Sequence, residues 1–385
     1  MKIIFAPDKY KSCMTAPEVC AVLAEAFRSV FPEAELVSLP MADGGDGTVD
    51  ALLSAAGPDG VRRSVTVTGP LGAKTEAVFG LIGGGSVAVL EMAAASGIAL
   101  LSPSELDPRR ATTYGTGELI RHALDSGARE ILIGIGGSAT VDGGAGMAQA
   151  LGFRLLDSRG KELPSGGAAL SRLAKIDPSG ADPRIFRTRF RIACDVTSPL
   201  LGPAGAARVF GPQKGADPVC VEELERGLAN LAACWNAAGL LSDADRPGDG
   251  AAGGLGAGLR AFCKAVPESG AKLVMDVLHF REHLRGASLV VTGEGRTDSQ
   301  TAAGKLCGEI AQAAHEKGVP VLLLSGSLDG RAEDFYPVFD YAFSISSGRT
   351  SLEDALKNGP ADLGCFALNL ARLIRDGARI GGIHS

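Results

Sequence analysis

Four loops in this chain set acidic side chains among small or polar residues at the end of an apolar run. They are Pro7-Asp8-Lys9-Tyr10-Lys11, Asp43-Gly-Gly-Asp46-Gly-Thr48, Cys194-Asp195-Val-Thr-Ser-Pro199 and Thr292-Gly-Glu294-Gly-Arg-Thr-Asp298-Ser-Gln300. Carboxylates gathered at strand ends can hold Mg²⁺ through water and phosphate oxygens, and one of them can take a proton from a substrate hydroxyl. Any one Asp-Gly pair is explained by turn chemistry alone, so the repetition is what points to a site. Cations are fewer. Lys11 follows the first apolar run, Lys214 stands in FGPQKGA, and Lys305 follows Gly304. A lysine among glycines can meet a phosphate or carboxylate as a compact charge, although a solvated surface lysine is the ordinary alternative.

A fifth stretch, EILIGIGGSATVDGGAGMAQ at residues 130–149, reads as a strand, a phosphate-sized loop and a helix start. Ile131, Leu132, Ile133 and Ile135 suit a buried strand, and Gly136 and Gly137 leave room for charged ligand oxygens to approach the backbone. Ser138 and Thr140 add hydroxyls, and Asp142 is positioned to cap the following helix, so free N–H groups are expected to converge on an anion. A tight turn without a ligand is the competing reading.

The elements that must position these loops follow from periodicity. A strand over residues 2–6 leads to a helix capped by Thr15, with Pro17 and Glu18 early and Val19, Val22, Leu23, Ala26 and Phe27 at helical spacing, ended by Pro32. A strand over 35–39 and a helix over 49–55 complete a βαβ beginning, and open parallel sheets bind ligands at the carboxyl ends of their strands. Segments 65–68, 75–80 and 87–92, separated by glycine-rich turns, read as an antiparallel meander. Helices over 116–124 and 220–238 and strands at 153–156 and 190–194 follow, and the glycine cluster 251–259 runs on as a helix. Parallel-type strands return at 288–292, 319–325 and 341–345. The expected fold is α/β: a Rossmann-like parallel domain, residues 1–65 plus 286–385, with a mixed α/β domain, 66–285, inserted into it.

Bulk properties agree with an enzyme of this kind. At 385 residues two domains are the prior, and 45% hydrophobic with 21% charged residues supplies ample core. A net charge of −6 argues against nucleic acid as a partner. The eight cysteines include no CxxC pair, and no apolar run has the length of a leader or a membrane span, which points to a cytoplasmic protein with reduced thiols. The five histidines form no zinc spacing. P-loop and nucleophile-elbow motifs are missing, and no G-x-G-x-x-G follows the first strand. A small-molecule kinase or phosphatase without a P-loop is as far as the residue chemistry leads.

At these same stretches the chain resembles the bacterial glycerate kinase family, the two-domain kind without a P-loop that acts on D-glycerate. The motifs in order are APDKYKS at 6–12, PMADGGDGT at 40–48, TGPLG at 68–72, EMAAASG at 91–97, GTGELI at 115–120 and GIGGSATVDGGAGMAQALG from 134. CDVTSPLLG from 194, FGPQKGA from 210, AAGGLGAG from 251 and TGEGRTDSQT from 292 extend them over nearly the whole chain. The resemblance implies transfer of the γ-phosphoryl group of ATP, with Mg²⁺, to a hydroxyl of D-glycerate in organic-acid catabolism, with 2-phosphoglycerate the favoured product. It implies Asp195 as the base with Asp8 next in order, and Lys11 and Lys214 on the glycerate carboxylate or the transferring phosphoryl group. Gly136, Gly137, Ser138, Asp142 and Asp43 are implied for substrate and phosphate, and Asp46, Glu294 and Asp298 for nucleotide or metal. Oligomeric state is left open.

Departures from the family pattern include Lys9 and Cys13 for serine, Asp46 for glutamate, Val141 for asparagine and Ser198 for asparagine. The change at Val141 deletes an amide beside the central loop, which either removes a donor to the ligand or marks an amide that served structure, so a related sugar acid is an alternative substrate. A non-catalytic hydroxy-acid sensor on the same fold is the alternative outside enzymes.

Overall fold

A computed structural model describes residues 1–298, 306–346, 348 and 351–381. Two compact units emerge, one made of Met1–Asp43, Asp50–Gly57 and Ala271–Ser385, the other of Gly44–Val49 and Pro58–Gly270.

In the first unit, five of the described strands form an all-parallel sheet. Its order across the sheet is Tyr341–Ser344 (β15), Val321–Ser325 (β13), Leu289–Thr292 (β11), Lys2–Phe5 (β1) and Glu35–Ser38 (β2). Ile4 lies opposite Val290 on one side and Val37 on the other. The central strands are continuous apolar runs because helices cover a parallel sheet on its faces. The helix Ala16–Val30 starts at a capping box in which Thr15 and Glu18 exchange hydrogen bonds, and its Phe27 packs edge-on against Phe5 with ring centroids 5.3 Å apart. The helix Leu352–Gly381 adds Leu363, Ala367 and Ala371 to the same core. A short parallel pair, Arg296–Asp298 (β12) with Ser327–Asp329 (β14), carries the loops beyond β11 and β13.

The second unit is built on a mixed sheet. Val61–Thr68 (β3), Lys74–Ile82 (β4) and Val87–Glu91 (β5) form the antiparallel meander. Glu130–Gly134 (β6), Arg189–Ala193 (β9) and Val266–Glu268 (β10) continue the sheet in parallel. A separate antiparallel pair joins Arg154–Leu156 (β7) to Lys175–Asp177 (β8). β3 begins four residues earlier than the hydrophobic pattern predicts, because Arg62 and Arg63 interrupt the apolar alternation yet still pair with Gly80 and Phe79. Trp235 and Phe262, both fully buried with centroids 5.9 Å apart, help close this core. Among the described residues, no helix is long and apolar enough to cross a membrane.

Candidate active site

In the first unit, the loops after β1, β2 and β11 are laced side by side at the carboxyl edge of the parallel sheet. The Asp8 N–H donates to Gly293 O at 2.8 Å, and the Met41 N–H donates to Pro7 O at 2.9 Å. Thr292 Oγ1 donates to Ala6 O at 2.8 Å, and the buried Tyr10 hydroxyl donates to Leu324 O at 2.7 Å. Gly293 cannot carry a side chain here, since a Cβ would lie 1.7 Å from Leu324 O.

Three of the expected carboxylates share this edge and feel one another. Burial, then the Asp43 charge and to a lesser degree that of Glu294, push the Asp8 carboxyl up to about 7, while the Lys9 N–H, 2.7 Å from Oδ1, and the Lys9 charge pull the other way. Glu294 Oε1 accepts from Thr297 Oγ1 at 2.9 Å, and that hydroxyl lies 2.6 Å from Ser325 Oγ. Asp43 is exposed, Asp298 ends β12 in the same unit, and Lys11 is exposed in the turn after Tyr10. A carboxyl titrating near neutrality, beside other negative charges, suits proton abstraction and attracts a cation. Among the described residues no three His, Cys, Asp or Glu side chains converge closely enough to cage a metal. Lys305 lies outside the described residues.

The second unit holds the central glycine loop. Gly136 and Gly137, just past β6, are exposed, and Ser138 turns inward with 8% of its surface accessible. The loop is fastened on one side, where the Ile98 N–H donates to Gly137 O at 2.8 Å and the Ala139 N–H donates to Ser96 O at 3.0 Å. Gly134 is required by close approach, because a Cβ there would stand 2.1 Å from Gly44 O. Asp46, expected with Glu294 and Asp298, belongs to this unit, near Gly137. Lys214 is 1% exposed, and its Nζ donates to Ser138 Oγ at 2.6 Å and to Thr140 O at 2.7 Å. Burial holds its pKa down at about 7, against the pull of the Asp142 charge.

Three residues of this region lie inside the protein. Asp142 takes the helix-capping place that its position in the sequence predicts. It is fully buried, and its carboxyl accepts from the Thr113 N–H and hydroxyl at 2.8 and 2.9 Å and from the Gly144 and Gly146 N–H groups at 3.1 and 3.2 Å. The helix Ala145–Ala150 therefore meets a capping carboxyl at its start. Burial pushes the Asp142 carboxyl up and these donors pull it back. Lys214 is enclosed beneath the loop, with its amine on Ser138 and Thr140. Val141 belongs to the apolar core with no exposed surface, the setting of a position that serves structure.

Asp195, favoured as the base from sequence, is exposed after β9 and its Oδ1 accepts from the Gly270 N–H at 3.0 Å. Two pairings are not expected from sequence. Thr113 bridges Asp142 and the Met147 N–H, the latter at 2.9 Å, and Ser138 lies 76 positions from Lys214. The adjacent threonines before GTGELI were the available signal for the first; nothing local marks the second.

Comparison with known proteins identifies the lineage. A model of the glycerate kinase family matches residues 3–375. A glycerate 2-kinase of Escherichia coli K12 is 45% identical over 383 residues, covering 99% of this chain and all of that protein. A glycerate kinase of Bacillus subtilis 168 is 45% identical over 97% of this chain and 98% of its own. A crystal structure described as a candidate glycerate kinase 2, from Salmonella typhimurium LT2, superposes with a TM-score of 0.91 at 46% identity, covering 98% of this chain and 99% of that one. Matched from end to end in both sequence and fold, the chain belongs to the glycerate kinase family.

Proposed function

We propose that this protein is a cytoplasmic kinase that moves the γ-phosphoryl group of ATP to the 2-hydroxyl of D-glycerate, giving 2-phosphoglycerate and ADP, in organic-acid catabolism. The observation that carries this reading is the match along 99% of the chain to a glycerate 2-kinase. The two compact units are its two domains, the first interrupted in sequence by the second.

Asp8 is the base of this proposal, in preference to Asp195. A carboxyl held near 7 is half ionised at neutral pH, which suits abstraction of a hydroxyl proton as the phosphoryl group arrives. Asp43, Glu294 and Asp298 supply hard oxygens on the same unit. Mg²⁺ travels on phosphate oxygens, keeps several waters and needs only one or two carboxylates, so the lack of a three-ligand cage among the described residues fits it, and the repulsion already felt by Asp8 favours a cation nearby. Bound there, the ion would neutralise phosphate charge; Asp43 and Glu294 would hold it. In the second unit, the exposed Gly136 and Gly137 with Ser138 take an anionic oxygen, of the glycerate carboxylate or of the moving phosphoryl group, with Asp46 beside them. Lys11, exposed and next to Tyr10, is available to a substrate anion.

The test is a coupled assay with ATP, Mg²⁺ and a panel of D- and L-hydroxy acids including tetronates, with NMR of the product. ADP release that depends on D-glycerate, and the spectrum of 2-phosphoglycerate, are expected. A 3-phosphoglycerate spectrum overturns the position, a better tetronate overturns the substrate, and no ADP with any acid overturns the kinase.

A further inference from the structure

We infer that Lys214 is a positioning residue of the transfer, which acts through Ser138 and turns the Ser138 hydroxyl proton outward toward the anion over Gly136 and Gly137. This rests on the assignment of the Gly136–Ser138 loop to a substrate or phosphoryl anion.

A hydroxyl has one proton to give and lone pairs to receive. Because Lys214 Nζ donates into Ser138 Oγ at 2.6 Å from the buried side, the Ser138 O–H is released from bonding inward and is left to donate on the accessible side. The second bond, to Thr140 O at 2.7 Å, fixes the amine against the loop backbone two residues further on. Both bonds survive loss of a proton, since a neutral amine still has two N–H donors. The lysine is thus able to orient Ser138 whether charged or not, which fits a group whose burial already draws its pKa to about 7. Its surroundings are also closed. The 3₁₀ turn Pro212–Lys214 ends at Gly215, in the left-handed region with φ of 92°, directly against Leu106, where a Cβ would come 2.6 Å from the Leu106 carbonyl oxygen. A side chain 1% exposed, with its amine bonded to two internal acceptors, supports the loop from below.

The test is a double-mutant cycle on the full-length protein. Lys214→Met keeps the stem and removes the donors; Ser138→Ala removes the hydroxyl. A hydrogen bond to a charged group contributes about 1.5–3 kcal/mol, so each single variant should lose roughly 10- to 150-fold in kcat/KM, with the same division between kcat and KM in both. The double variant should be no worse than the poorer single. Lys214→Gln, which keeps an amide donor on a shorter stem, should recover part of the loss. If Lys214→Met does not fold, the glutamine and serine variants complete the cycle. Losses that multiply in the double variant, or a Lys214 variant whose kcat and KM change in a different proportion from Ser138→Ala, overturn the inference while leaving the kinase intact. A wild-type protein that makes no ADP from D-glycerate and ATP overturns the function, and this inference with it.

Discussion

Asp8→Asn separates a catalytic carboxylate from a structural one, because the two make opposite demands on stability. The Asp8 carboxyl titrates at about 7 in the folded protein against 3.8 for the free side chain. With the folded value the higher, its full stabilising contribution is present below about pH 4, where both states hold the proton. As pH rises from there to 7 the unfolded chain releases the proton while the folded protein retains it, and stability falls; above 7 the whole cost of an ionised, crowded carboxylate is in place. Three units at about 1.4 kcal/mol each set a ceiling of roughly 4 kcal/mol, which residual water at a half-buried group reduces to ~1–3 kcal/mol. Asparagine is neutral throughout, and its amide oxygen can still accept from the Lys9 N–H that now reaches Oδ1.

The variant should therefore gain on the wild type as pH rises, by roughly 1–2 kcal/mol between pH 5 and pH 8, or about 2–8 °C in melting temperature for a domain of 150–250 residues. Differential scanning calorimetry with chelator present and nucleotide absent reads this without interference from Mg²⁺. In the same variant kcat should fall by about 10²–10⁴. A melting gap that stays constant or shrinks from pH 5 to pH 8 refutes the electrostatic account of Asp8, and near-normal turnover refutes its role as the base.

The other predictions test the corrected assignments. Asp195→Asn should keep kcat within about tenfold of wild type, given its exposed setting; a loss as large as that of Asp8→Asn would return the base to Asp195. Val141→Asn places an amide in the apolar core, so it should lower stability by about 1–3 kcal/mol in a thermal melt and leave the order of preference among hydroxy acids unchanged. A switch toward another acid would show that position 141 faces the ligand after all. Asp142→Ala leaves the Thr113, Gly144 and Gly146 donors buried without their acceptor, so it should cost about 3–5 kcal/mol by urea denaturation; activity lost at unchanged stability would restore Asp142 to the substrate.

What could be read from the sequence and what could not divides along burial. The strand-end loops were legible because a buried parallel strand is a short continuous apolar run and the turn after it needs glycine, so LVVTGEG and ILIGIGG announce both the strand and the edge where ligands gather. Depth was not legible, since it depends on partners far away in the chain. Asp142 and Asp46 look alike in sequence, each acidic and beside glycine, yet one is saturated by Thr113 and two amides within the core while the other is exposed. Lys11 and Lys214 look alike too, and only the fold brings Ser138 and Thr140 to the second and leaves the first in water. The raised pKa of Asp8 is equally invisible in the motif, because it comes first from burial and then from the charges of Asp43 and Glu294, the latter more than 250 positions away. Motifs therefore identify which loops carry the chemistry, whereas the division of labour within a loop is set by which polar groups the fold has already paired, as it has for Asp142 and Lys214.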